Sequence, residues 1–119
     1  MQGYRELKVW QRAMELVEYV YYLVGQLPRS ETYALSNQMR RAAVSIPSNI
    51  AEGRGRDTDR DYVYFLVIAR GSKFELETQI IICEKLKYIN AEEARHALML
   101  CDEVGKMLNS LIHSLKAKG

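Results

Sequence analysis

The chain has no stretch of about 18 uncharged apolar residues, so it supports no membrane-spanning helix. Proline occurs only twice and glycine seven times, and neither is scattered as the many turns of a β-sheet protein require. Cysteine is nearly absent. Cys83 and Cys101 both fall in apolar helical stripes, where lone thiols act as small buried hydrophobes; a disulfide between them is the alternative. Charge of a dominant sign is also missing: a net charge of +2 from 17 basic and 15 acidic residues argues for no partner by itself. The opening MQGYRELKVW is polar and carries no apolar signal core with a small-residue cleavage site, so the expected location is the cytoplasm.

Helical periodicity is what the chain does have. Its 119 residues make one domain's worth, enough to bury roughly two-thirds of the unfolded surface. Leu7, Trp10, Met14, Val17, Tyr21 and Val24 recur every three or four residues. A second stripe, Val9, Ala13, Leu16, Val20, Leu23 and Leu27, runs beside it. One stripe suffices for a bundle helix, so the doubled face, with Trp10, Tyr19, Tyr21 and Tyr22, predicts a homo-oligomer interface. Gly25 and Pro28 are expected to end this helix.

Three further helices follow. Ser30 is a candidate cap for a helix bearing Leu35, Met39, Ala42, Ile46 and Ile50, with Gly53 and Gly55 as its stop. Thr58 with Asp61 resembles a capping box for a third helix carrying Tyr62, Phe65, Ala69, Ser72, Leu76, Ile80 and Cys83. Asn90 with Glu93 resembles another, ahead of Ala94, Ala97, Cys101, Val104, Leu108, Leu111 and Leu115. Short connections between long helices favour antiparallel neighbours. The expected fold is therefore all-α, a single antiparallel up-down-up-down four-helix bundle with about 25 residues per helix.

The stretch RRAAVSIPSNIAEGRGR, residues 40–56, puts a proline inside the second helix. Proline there frees the carbonyl of Ala43 and is expected to kink the axis without ending it, since Ile50 continues the stripe of Ile46. Arg41, Ser45, Asn49 and Glu52 line up as a polar seam beside that stripe.

Enzyme-like patterns fail one by one. Glu93-x-x-His96 has di-iron bundle spacing, but His113 follows Ser110 and no second pair exists. DTDRDY from Asp57 starts like a calcium loop, yet Tyr62 and Ile68 stand where glycine and glutamate are needed. GRGR is no phosphate cradle, and Ser72 has no nucleophile elbow. No metal, cofactor, small-molecule substrate or catalysis is expected. What remains is the basic set Arg40, Arg41, Arg54, Arg56, Arg60, Arg70 and Lys73, suited to phosphate and hence to RNA or DNA. The bland alternative is a solvated charged surface, partly neutralised by Asp57, Asp59 and Asp61.

Four blocks carry a family likeness over nearly the whole chain: ELKVWQRAMEL, LPRSETYALSNQMRRAAVSIPSNIAEGRGR, YFLVIARGSKFELETQI and the closing leucine-periodic helix. The chain resembles the small bacterial four-helix-bundle proteins encoded within intervening sequences of 23S ribosomal RNA genes. Arg70-Gly71 before Ser72 is a departure, where a smaller or less charged neighbour is expected. The resemblance implies an antiparallel bundle, a pentameric ring by analogy with related bundles, and an RNA-linked context without catalytic residues. Similar bundles are accessory factors of diversity-generating retroelements, where nucleic-acid binding is part of the role. Two functions stand: a nucleic-acid-binding accessory protein using the arginine set, or an oligomeric scaffold or interaction protein whose arginines mainly form inter-subunit salt bridges.

Overall fold

The computed structural model describes residues 3–118. After a single 3-10 turn at Tyr4–Glu6 come four helices: α1 (Lys8–Val24), α2 (Leu35–Arg54), α3 (Asp59–Lys85) and α4 (Ala91–Lys118), with no strand among the described residues. Each helix packs on its neighbours in sequence and α4 closes back on α1, giving a four-helix bundle.

The second stripe of α1 faces the core: Val9, Ala13, Leu16, Val20 and Leu23 are buried, with Val24. The first stripe splits. Trp10 and Val17 are half-buried and line a groove toward α2 with Tyr4, Met14, Val44 and Pro47. Tyr4 stands edge-on to Trp10 at 5.4 Å. Most of the doubled face is thus absorbed within one chain, leaving Tyr21 and Tyr22 about half exposed.

The ends of the helices follow local hydrogen bonding. Gly25 caps α1, its N–H donating to the Tyr21 carbonyl. Ser30 does not cap α2. It lies in a separate 3-10 turn (Arg29–Glu31), and α2 begins only at Leu35, whose N–H donates to the Glu31 carboxylate at 3.4 Å. The same carboxylate accepts the Tyr88 hydroxyl at 2.9 Å. Gly53 does not stop α2 either. It is buried inside the helix, and Gly55 is the C-cap. Residues 48–52 are helical, so α2 continues through Pro47. Thr58 caps α3, its hydroxyl accepting from the Asp61 N–H at 3.1 Å. Asn90 and Glu93 form both halves of a capping box at α4, at 2.8 and 3.0 Å.

α3 and α4 bury more than their expected stripes. Leu66, Lys73 and Gln79 join the buried face of α3, while Phe65 and Ser72 are only half-buried. Leu100, Gly105 and Ile112 join that of α4. The helices have 17, 20, 27 and 28 residues rather than about 25 each, because the α1–α2 connection takes up residues 25–34.

The Glu93 box carries a pH dependence. Its carboxylate accepts the Asn90 N–H, the Gln26 amide and the Tyr22 hydroxyl, and these hold its pKa below the ordinary 4.5. A carboxyl depressed on folding stabilises the protein above the ordinary value, and that stability is lost as pH falls through the folded value. Urea midpoints of wild type should therefore fall on acidification below about pH 4.5. Glu93→Gln, which keeps an acceptor but cannot ionise, should show a shallower fall. Equal slopes would remove Glu93 from the account.

Candidate nucleic-acid interface

The basic set does not form one surface. Arg54, Arg56 and Arg60 lie at the α2–α3 turn. Arg40 and Arg41 sit about 20 Å away along α2, some fourteen residues earlier at 1.5 Å each. Arg70 is on α3 toward α4, where its guanidinium donates to Asn109 Oδ1 at 3.0 Å.

Lys73 is not on a solvated face. It is 7% exposed, its Nζ 3.4 Å from Glu77 Oε2 and 3.8 Å from the centroid of the Phe74 ring. Gly105 on α4 makes the room: a Cβ there would lie 3.0 Å from both Lys73 Cε and Nζ. Lys73 therefore supplies no free charge to a phosphate.

Within the turn, positive charge is balanced. Arg56 donates to Glu52 at 2.9 Å and its guanidinium stacks 4.5 Å from the centre of the Phe65 ring. Around Arg54, Arg56 and Arg60 stand Glu52, Asp57, Asp59 and Asp61, so acids are no fewer than arginines. Asp59 and Asp61 occupy the first turn of α3, where the helix dipole favours them. Arg40, Arg41 and Arg60 make no hydrogen bond or ion pair among the described residues. Tyr62 beside the turn has its pKa raised by burial, with the charge of Arg54 opposing.

The polar seam is partly assembled. Asn49 donates to the Ser45 carbonyl at 2.8 Å and its hydroxyl at 2.9 Å. Ser45 Oγ lies 2.8 Å from Ser72 Oγ across to α3. Arg41 lines the same groove, about 390 Å³, with Asn37, Gln38 and Glu75. Glu52 belongs instead to Arg56. Ser72 was missed as a seam partner because periodicity along one helix does not report what a neighbouring helix offers.

The aromatic candidates of α1 are mostly engaged inside the chain. Tyr19 is half-buried, edge-on to His96 at 4.5 Å and tilted on Tyr22 at 5.5 Å. Tyr22 donates to Glu93 at 3.0 Å. Arg12 bridges Glu15 and, across to α4, Glu103. Besides the half-exposed Tyr21 and Tyr22 of α1, an apolar set stands outward on α3, where Tyr64, Val67, Phe74 and Ile81 face solvent. Their intervals of three, seven and seven residues put them on one helix face, a pattern visible in the sequence but masked by the inner stripe beside it.

Among the described residues, no group of three or more His, Cys, Asp or Glu side chains could hold a metal ion. No described helix is long and apolar enough to cross a membrane.

Comparison with known proteins agrees with this architecture. No curated protein matches the chain. A crystal structure of a protein of unknown function from the S23 ribosomal protein family, from Bacteroides thetaiotaomicron, superposes with a TM-score of 0.82 at 25% identity, over 87% of this chain and 97% of that one. Neither that relative nor the matching family model indicates an enzymatic family. Residues 5–110 match the model of the 23S rRNA-intervening sequence protein family, and the chain belongs to that family.

Proposed function

We propose that the chain acts as a non-catalytic, self-assembling scaffold, a single folding unit working in the cytoplasm. The observation that carries this is the outward apolar strip of α3, where Tyr64, Val67, Phe74 and Ile81 stay exposed on a helix already apolar toward the core; an exposed apolar patch of this kind marks an interaction surface. The Arg56–Glu52, Arg12–Glu103 and Lys73–Glu77 pairs all lie within one chain, so they weigh against phosphate binding by these cations and supply no inter-subunit salt bridge. The family resemblance makes a ring of five copies the expected stoichiometry. Sedimentation at micromolar concentration tests the reading: an oligomer is expected, and a monomer overturns it.

The bundle order belongs to the same proposal. Tyr22 meets Glu93 while Arg12 meets Glu103, and Met39 meets Cys83 while Ser45 meets Ser72, pairings that support an up-down-up-down arrangement. A bend of α2 at Pro47 follows from the amide that proline lacks.

Nucleic-acid binding is the second reading, favoured by the unpaired Arg40, Arg41 and Arg60 and by the RNA context of the family name. Titrations against structured RNA, single-stranded DNA and duplex DNA at several salt concentrations test it. Each neutralised phosphate contributes a log–log salt slope of about 0.9 on duplex DNA and about 0.7 on single strands. Changing Arg40 and Arg41 together to Ala should weaken binding to every sequence alike and flatten that slope by about one to two units. No binding at low salt, where screening is weakest, would end this reading.

A further inference from the structure

The groove between α2 and α3 gathers polar side chains that hold nothing within the chain. Asn37, Gln38, Arg41, Ala42 and Ser45 of α2 line it with Ser72 and Glu75 of α3, around about 390 Å³. Among the described residues, the side chains of Asn37, Gln38, Arg41 and Glu75 make no hydrogen bond, ion pair or ring contact. Arg41 and Glu75 carry opposite charges on opposite banks, yet stand too far apart to pair. The floor between them is fixed. Ser45 Oγ accepts from Asn49 at 2.9 Å and shares a hydrogen bond with Ser72 Oγ at 2.8 Å. One of the two hydroxyl protons makes that bond, and the other has no acceptor in the chain, so it is offered to the groove that both serines line.

Gln79 lies beneath the same groove. It is 4% exposed, and its Oε1 is buried with no hydrogen-bond partner. Ser72, seven residues before it, touches Ser45, and Cys83, four residues after it, touches Met39. At those intervals the three share one face of α3. Gln79 therefore points at α2 between Met39 and Ser45, the stretch that lines the groove. A buried carbonyl left without a donor is costly, so this one calls for a donor from outside the chain.

We propose that this groove binds a free amino acid, a zwitterion with a short polar side chain. The two kinds of uncommitted group decide the ligand. Arg41 and the spare serine proton are donors suited to a carboxylate, which a guanidinium takes in a bidentate fork. Glu75 and Gln79 Oε1 are acceptors suited to the three N–H donors of an α-ammonium. The amides of Asn37 and Gln38 both donate and accept, matching an amide or hydroxyl side chain. Ala42 is the one apolar residue in the lining, so a large hydrocarbon side chain finds no surface to cover. A phosphate of RNA would meet the Glu75 carboxylate and leave Gln79 unpartnered. A nucleobase would find no aromatic ring to stack on. This site goes beyond the scaffold reading and is complete within one chain, so monomer and oligomer should bind alike.

Titration of isotope-labelled protein with L-glutamine, followed by NMR, tests the site. The signals of residues 37–45 and 72–79 should move, and those of α1 should stay in place. N-acetyl-L-glutamine, which keeps the carboxylate and loses the ammonium, should bind about 10- to 100-fold more weakly. Arg41→Ala and Glu75→Gln should each weaken L-glutamine by a similar factor with unchanged far-UV circular dichroism. Gln79→Met removes the orphan carbonyl from the interior. It should weaken binding while raising the urea midpoint, a combination that a purely structural glutamine does not give. No movement with millimolar L-glutamine or L-serine, equal binding of the acetylated form, or tighter binding of guanosine monophosphate overturns the proposal.

Discussion

Gly53→Ala is expected to destabilise the protein by about 1–2 kcal/mol and lower its Tm by roughly 4–10 °C. A Cβ on Gly53 would lie 2.8 Å from Phe65 Cβ, 3.1 Å from Tyr62 Cδ1 and 3.2 Å from the Tyr62 carbonyl. The first neighbour is fixed to the α3 backbone, so relief needs α2 and α3 to part rather than a side chain to swing. Overpacking of this kind typically costs about 1–3 kcal/mol, and the better helix propensity of alanine returns up to about 1. Gly55→Ala is the control, because a Cβ there meets only helix carbonyls at 3.6 and 3.8 Å and φ is −84°. Its effect should stay within about 0.5 kcal/mol. Urea unfolding of the two variants reads the contrast. Equal stabilities would mean that the helices are not in such close contact at Gly53.

The same glycine shows how far sequence carries. Gly53 and Gly55 look alike as helix stops, since both lack a side chain. Only the approach of Tyr62 and Phe65 from the next helix separates a packing glycine from a capping one. Capping was legible wherever its partners are local: Asn90 and Glu93 are three residues apart, as are Thr58 and Asp61. It failed at Ser30, where an unanticipated turn hands the role to Glu31. The core stripes of α2 and α4 were legible for the same local reason. On α1, two stripes competed, and the choice between them depended on where α2 and the Tyr4 turn lie.

The candidate site was legible in type and not in arrangement. Seven basic residues gathered around one turn in the sequence look like a cluster. Helical rise spreads Arg40 and Arg41 away from Arg54, and helical rotation sends Arg70 and Lys73 toward α4. Lys73 was the hardest to foresee. Its burial depends on Gly105, thirty-two residues later, and on the reach of a flexible stem that keeps its charge beside Glu77.

Glu77→Ala should cost about 2–4 kcal/mol, whereas Lys73→Met should change stability by less than about 1. Removing one partner of a buried ion pair strands the other in a poorly solvated place, which typically costs about 3–5 kcal/mol. The lower figure applies because the Glu77 side chain is 25% exposed, against 9% for Lys73, so water screens part of the loss. Methionine replaces the buried ammonium with a chain of similar length, avoids its desolvation and still fits beside Gly105. The double variant should therefore recover most of what Glu77→Ala loses, since no stranded ammonium remains, and the cycle of four proteins isolates the coupling. Equal losses from the two single substitutions would show that Lys73 contributes through packing and not charge. The same variant separates the functional readings: a lysine that touched phosphate would take about one unit of salt slope with it. The Lys73→Met protein should bind nucleic acid, to whatever extent wild type does, with the wild-type slope, because this ammonium is already held between Glu77, Phe74 and α4.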